Sequence, residues 1–98
     1  MIMQKYSDNI IQAVWQKGNT VARYNPDKYR EDQCNAWISR DEYGNRKSIL
    51  GWEVDHINPN GSDILSNLRP LQWENNVVTS DGKLTCPIRS NGNNNERV

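Results

Sequence analysis

The sequence has no phenylalanine, a single histidine and only two cysteines. No stretch approaches the ~18 consecutive apolar residues that a membrane-crossing helix needs, and the mean hydropathy is −0.96, so a membrane partner is not expected. One histidine with Cys34 and Cys86 is too small a set for an ordinary four-ligand structural zinc site. Residues 1–8 lack the charged-then-apolar pattern of a secretory leader, which makes a cytoplasmic location the expectation. Cys34 and Cys86 could pair, but that location favours two free thiols. An excess of charge of one sign is missing too: twelve basic residues balance twelve acidic ones. Affinity for phosphate backbones comes largely from Lys and Arg, so neutrality counts mildly against a nucleic-acid partner without excluding one. At 98 residues the chain is one small domain with a modest core.

What is present is aromatic and turn-rich. Four tryptophans and four tyrosines supply core volume together with N–H and O–H groups that need partners. Residues 7–17 read as a helix, with Ser7 or Asp8 as cap, Ile10, Ile11, Val14 and Trp15 at helical spacing and Gly18 as a stop. Pro26 can open a short helix at 27–32, capped by Asn25. Residues 36–40 read as a strand, 41–45 as a turn and 46–49 as a return strand. Residues 51–57 alternate apolar and polar, placing Trp52 and Val54 on one face and Glu53 and Asp55 on the other. Residues 58–63 are dense in turn formers. Residues 65–71 are short and extended, with Pro70 suiting an edge strand, and residues 73–78 read as a short helix. The domain is expected to span 1–90, followed by a disordered tail at 91–98 that has little to bury.

The lone histidine, His56, directly follows Asp55 at a strand end. A carboxylate beside an imidazole joins a hard oxygen ligand suited to Mg²⁺, Mn²⁺ or Ca²⁺ with a group that moves protons near neutral pH. Taken alone, a lone histidine is more often structural or superficial. The order that follows it is more specific: Asp55-His56-Ile57, Pro59, Gly61, Asn67-Leu68, Pro70-Leu71 and Asn76. Over about residues 51–83 this pattern resembles the HNH endonuclease family, in an H-N-N form similar to small bacterial and phage members. The resemblance implies an α+β fold with a ββα-metal core, here preceded by an N-terminal helix and hairpin.

It also implies roles. His56 matches the general base that activates water against phosphorus, and Asp55 matches a metal ligand. Asn67 matches the residue that holds the loop through backbone hydrogen bonds and so aims His56. Asn76 matches the second metal ligand, with Asn75 as the alternative if the helix register differs by one. The implied activity is metal-dependent hydrolysis of phosphodiester bonds, with DNA as partner. An Asp-plus-Asn oxygen set favours Mg²⁺ or Mn²⁺ over Zn²⁺. Glu53 is a candidate accessory acid and equally a solvated strand residue. Many family members carry a lysine three residues after the last ligand, where this chain has Thr79; Arg69 or Lys83 would then supply the phosphate contact. Cysteine pairs that bind zinc in some members are absent, so packing by Trp37, Trp52 and Trp73 is expected to hold the domain, in preference to base stacking by those rings.

Overall fold

A computed structural model of the chain describes residues 6–98; residues 1–5, part of the stretch read for a leader, lie outside the described ones. Helix α1 spans Asp8–Trp15. Ser7 caps it, its Oγ accepting from Ile10 N at 3.3 Å, and Asp8 lies in the first turn, where the helix dipole favours an acid. The helix buries Ile11, Val14 and Trp15 and ends where Gly18 N donates to Trp15 O at 2.9 Å. Among the described residues no helix is long and apolar enough to cross a membrane.

Strands β1 (Tyr29–Glu31) and β2 (Trp37–Ser39) form an antiparallel hairpin with Glu31 opposite Trp37. This corrects two expectations. Asn25 does cap a turn, its Oδ1 accepting from Asp27 N, but the turn gives way to a strand instead of continuing as a helix over 27–32. Strand β2 accordingly pairs backward with β1 and not forward with 46–49. The reason is Asp32, whose side chain shapes the connection. Its Oδ1 accepts from Cys34 N and Ala36 N, each at 2.9 Å, while Asn35 takes a positive φ of 61°, a conformation that asparagine tolerates better than most residues.

Strands β3 (Trp52–His56) and β4 (Leu68–Gln72) pair antiparallel, with Trp52 opposite Gln72 and His56 opposite Leu68. Trp52 and Leu68 join Ile11, Val14, Trp15 and Ile38 in the buried core, and Val54 packs against it. Pro70 sits inside β4, opposite Val54. The sheet has only these two strands, so the N–H that proline lacks falls on an edge where no ladder bond is lost. Helix α2 (Trp73–Val77) follows without a loop. Gln72 makes that abrupt change possible by capping: its Oε1 accepts from Glu74 N and Asn75 N at 2.8 and 3.0 Å.

The last strands, β5 (Ile88–Asn91) and β6 (Asn94–Arg97), form a third hairpin. The expected disordered tail is therefore ordered. Its asparagines are what attach it: Asn95 Oδ1 accepts from Trp37 N at 2.7 Å, and its Nδ2 donates to Trp37 O and Ile49 O. The indole of Trp37 donates to Gly92 O at 2.8 Å. The free-thiol expectation is also corrected, because Cys34 and Cys86 form a disulfide across Cα atoms 5.2 Å apart. They meet because Asp32 Oδ2 accepts from Gln72 N and Asn75 Nδ2, at 2.9 and 3.1 Å. Asn75 in turn clasps the backbone of Ile88 through both N–H and C=O. The described residues thus form a small α+β fold of short antiparallel hairpins and short helices.

Candidate active site at the end of β3

His56 is the last residue of β3, and the chain leaves it into a loop that returns at Asn67. The Asn67 side chain governs that loop. Its Oδ1 accepts from Asn58 N at 2.9 Å, and its Nδ2 donates to Asn58 O at 3.1 Å and Ser62 O at 2.9 Å. Its main-chain O also accepts from Ile57 N. An asparagine amide, one acceptor and two donors, is suited to satisfying such a turn from inside. The loop passes so close above it that a Cβ at Gly61 would lie 2.6 Å from Asn67 Nδ2, so a side chain there would push the amide out of its bonds with the loop.

The loop ends by carrying Asp63 onto the imidazole, with His56 Nε2 2.5 Å from Asp63 Oδ1. The imidazole is about one-quarter exposed and the carboxylate about half. Tyr6, from the segment that enters α1, donates its hydroxyl to the same Oδ1 at 3.1 Å. Burial, the hydrogen bond to Asp63 and the nearby negative charges of Asp63 and Asp55 push the Tyr6 hydroxyl up to about 12. The tyrosine therefore stays a protonated donor throughout the neutral range. Lys17, just past α1, donates to Leu65 O and Leu68 O and ties the helix to the returning chain.

Asp55 lies on the opposite strand face from His56 by alternation. Its Oδ2 accepts from Arg69 Nε at 2.8 Å. Arg69 also donates from Nη1 to Gln33 Oε1 and from Nη2 to Gly82 O and is about 5 % exposed. The phosphate contact expected of Arg69 is corrected on that ground: the guanidinium is buried and turned toward three protein acceptors. Lys83 is exposed. It follows a tight turn in which Asp81 and Gly82 take φ of 51° and 76° and Ser80 and Lys83 are bridged. That turn abuts the chain just after His56, since a Cβ on Gly82 would stand 2.3 Å from Ile57 O.

Glu53 shares the Asp55 face and is held from two sides. Arg46 contacts both of its oxygens, at 2.7 and 2.9 Å, and Asn76 Nδ2 donates to its Oε1 at 2.9 Å. Burial pushes the Glu53 carboxyl up, but these hydrogen bonds and the Arg46 charge outweigh it and leave the group below the ordinary carboxylate value. Asn75, the alternative to Asn76, is fully buried, with both ends of its amide engaged by Asp32 and the Ile88 backbone.

The sequence-derived residues therefore fall into two groups. His56 and Asn67 meet around one loop, and Asp55 and Asn76 stand along the Glu53 face of β3. Among the described residues no group of three or more His, Cys, Asp or Glu converges as a metal cluster. Two participants escaped sequence reasoning. Asp63 is a carboxylate seven positions after His56 in the turn-rich loop, a detectable signal; Tyr6 is 57 positions from Asp63, and nothing local marks it. No family model, curated protein or solved structure matches the chain.

Proposed function

We propose that this chain is a metal-dependent endonuclease of the HNH type that hydrolyses phosphodiester bonds in DNA, with β3, β4 and α2 as its ββα-metal core. The observation that carries the reading is the Asn67 side chain threaded into the loop after His56, with three hydrogen bonds to the backbone of Asn58 and Ser62. That is the loop-holding task that the resemblance to the HNH family implies for Asn67, and it stands in the strand–loop–strand–helix order that the same resemblance implies.

His56 acts as general base. Its neutral imidazole accepts a proton from the water whose oxygen bonds to phosphorus, and the phosphorus–3′-oxygen bond breaks. Asp55 and Asn76 would hold Mg²⁺ or Mn²⁺ on the β3 face opposite the imidazole. Because His56 is the last residue of β3, a phosphate lying across the strand end would be within reach of both. The hydrogen bonding of the two ligands suits them to hold the ion. Arg69 occupies Asp55 Oδ2 and leaves Oδ1 for a cation, as ligating carboxylates are commonly braced by an outer partner. Asn76 donates through its nitrogen, which leaves its carbonyl oxygen as a hard ligand. Such ions keep several waters, so few protein ligands suffice. When bound, the ion supplies charge neutralisation on the phosphate and helps the 3′-oxygen leave. Lys83 contributes the phosphate contact.

Supercoiled plasmid incubated with Mg²⁺, Mn²⁺ or EDTA tests the reading. The wild type should cut with either metal and stop with EDTA, and His56→Ala should cut at least about 10²-fold more slowly. A His56→Ala variant that cuts like the wild type removes the assignment of the base. A second reading, a nucleic-acid-binding module that does not cut, is favoured by Thr79. Where many HNH members carry a lysine, this hydroxyl turns back to donate to Asn75 O at 2.8 Å. DNA retention without cleavage would select that reading.

A further inference from the structure

We propose that Asp63 is the positioning residue of His56: its carboxylate takes the Nε2–H and leaves the Nδ1 lone pair to accept the proton. The inference deepens the nuclease reading above and rests on it for its catalytic part. A carboxylate only accepts hydrogen bonds, so the 2.5 Å approach of Asp63 Oδ1 to Nε2 requires the proton to sit on Nε2. In a neutral ring Nδ1 is then bare, and the tautomer is set by the partner of the other nitrogen.

A carboxylate on a half-exposed loop would ordinarily sweep through many rotamers and hold nothing. Two features prevent that. Asn67 and the tight passage over Gly61 hold the loop backbone, and Tyr6 donates to the very oxygen that faces the imidazole. Tyr6 belongs to the segment that Ser7 anchors as the cap of α1, so the first helix steadies the carboxylate from outside the loop. Because Asn67 holds the loop without using the Asp63 side chain, removal of that side chain should leave the backbone where it is. The role is to fix ring orientation and tautomer, and its loss should slow the proton transfer without weakening substrate binding.

The test uses the full chain labelled with ¹⁵N in the histidine ring. His56 is the only histidine, so its two nitrogens need no assignment against others. Two-bond couplings read on the carbon-bound ring protons report which nitrogen carries hydrogen, independent of exchange with water. At alkaline pH, where an imidazole is neutral, the wild type should show the Nε2–H form alone, and Asp63→Ala should show both forms. Plasmid cleavage in Mg²⁺ should fall about 10²-fold in kcat for Asp63→Ala, with KM within about twofold and a folded chain by circular dichroism at the assay temperature, and Asp63→Glu should recover part of the rate. A wild type with a bare Nε2, an Asp63→Ala spectrum identical to wild type, or a loss confined to KM overturns the proposal. If the wild type cuts no DNA, the nuclease reading falls, and the nitrogen spectrum alone then decides whether Asp63 sets the tautomer.

Discussion

Asp32→Asn alters one atom of a side chain that is 1 % exposed and should remove a large share of the fold's stability. The wild-type carboxylate receives four donors. Cys34 N and Ala36 N meet Oδ1, and Gln72 N and Asn75 Nδ2 meet Oδ2. Burial pushes this carboxyl above its ordinary value, and the four N–H groups pull in the other direction. An asparagine offers one oxygen, so in either amide orientation two buried donors face an NH₂ group. A buried donor left without an acceptor costs about 1–3 kcal/mol, which puts the loss near 4 kcal/mol. That is comparable with the lower end of the roughly 5–15 kcal/mol that holds a whole domain. With a urea slope of about 1.5 kcal/mol per M, the unfolding midpoint, followed by tryptophan fluorescence, should fall by roughly 2–3 M. A shift below about 0.5 M would refute the reasoning, because the donors would then have found other acceptors at negligible cost. The effect should be felt in all three hairpins, since Asp32 joins the β1–β2 turn to α2 and, through Asn75, to β5.

Two further outcomes follow from individual contacts. Replacing both Cys34 and Cys86 by serine should cost about 4 kcal/mol, the loop-closure value for a cross-link spanning 52 positions; urea titrations of the double variant measure it, and a loss under about 1 kcal/mol would show that Asp32 and Asn75 already align the two segments. Tyr6, raised from 10.0 to about 12, contributes stability that is fully present below pH 10 and is lost as pH rises through about 12. Ultraviolet titration of phenolate formation should therefore show Tyr6 titrating late, alongside Tyr43, which burial and the Glu53 charge also raise; only the Tyr6 step should move back toward 10 in Asp63→Asn, and an unmoved titration would remove Asp63 as a cause.

Much of the candidate site was legible because its signals are local. The alternation over Trp52 to His56 set β3 and its two faces, and the turn formers at 58–63 marked the loop. Asn67 was assigned to that loop by the HNH resemblance, and the residues it bonds lie within nine positions of it. The helix at Asp8–Trp15 was likewise written in cap and spacing, whereas the short helix at Trp73–Val77 was read without its Gln72 cap. The errors share a cause. Residues 27–32 carry a valid helix start, but Asp32 bonds forward to the next turn and across to β4, and those distant donors outweigh a short helix that gains little by itself. Residues 91–98 are polar enough to read as disordered, yet Asn95 spends that polarity on the backbone of Trp37 and Ile49. Arg69 reads as a surface cation until Asp55, Gln33 and Gly82 are seen to surround it.

The feature that changed most is the neighbourhood of His56. Its place at a strand end beside Asp55, and the loop behind it, follow from the sequence, because alternation and turn chemistry act over a few residues. Its partners Asp63 and Tyr6, the disulfide between Cys34 and Cys86 and the burial of Arg69 were decided only by the tertiary structure. Each depends on which distant segments the core and the Asp32 hub bring within hydrogen-bonding reach, and no local pattern encodes that proximity.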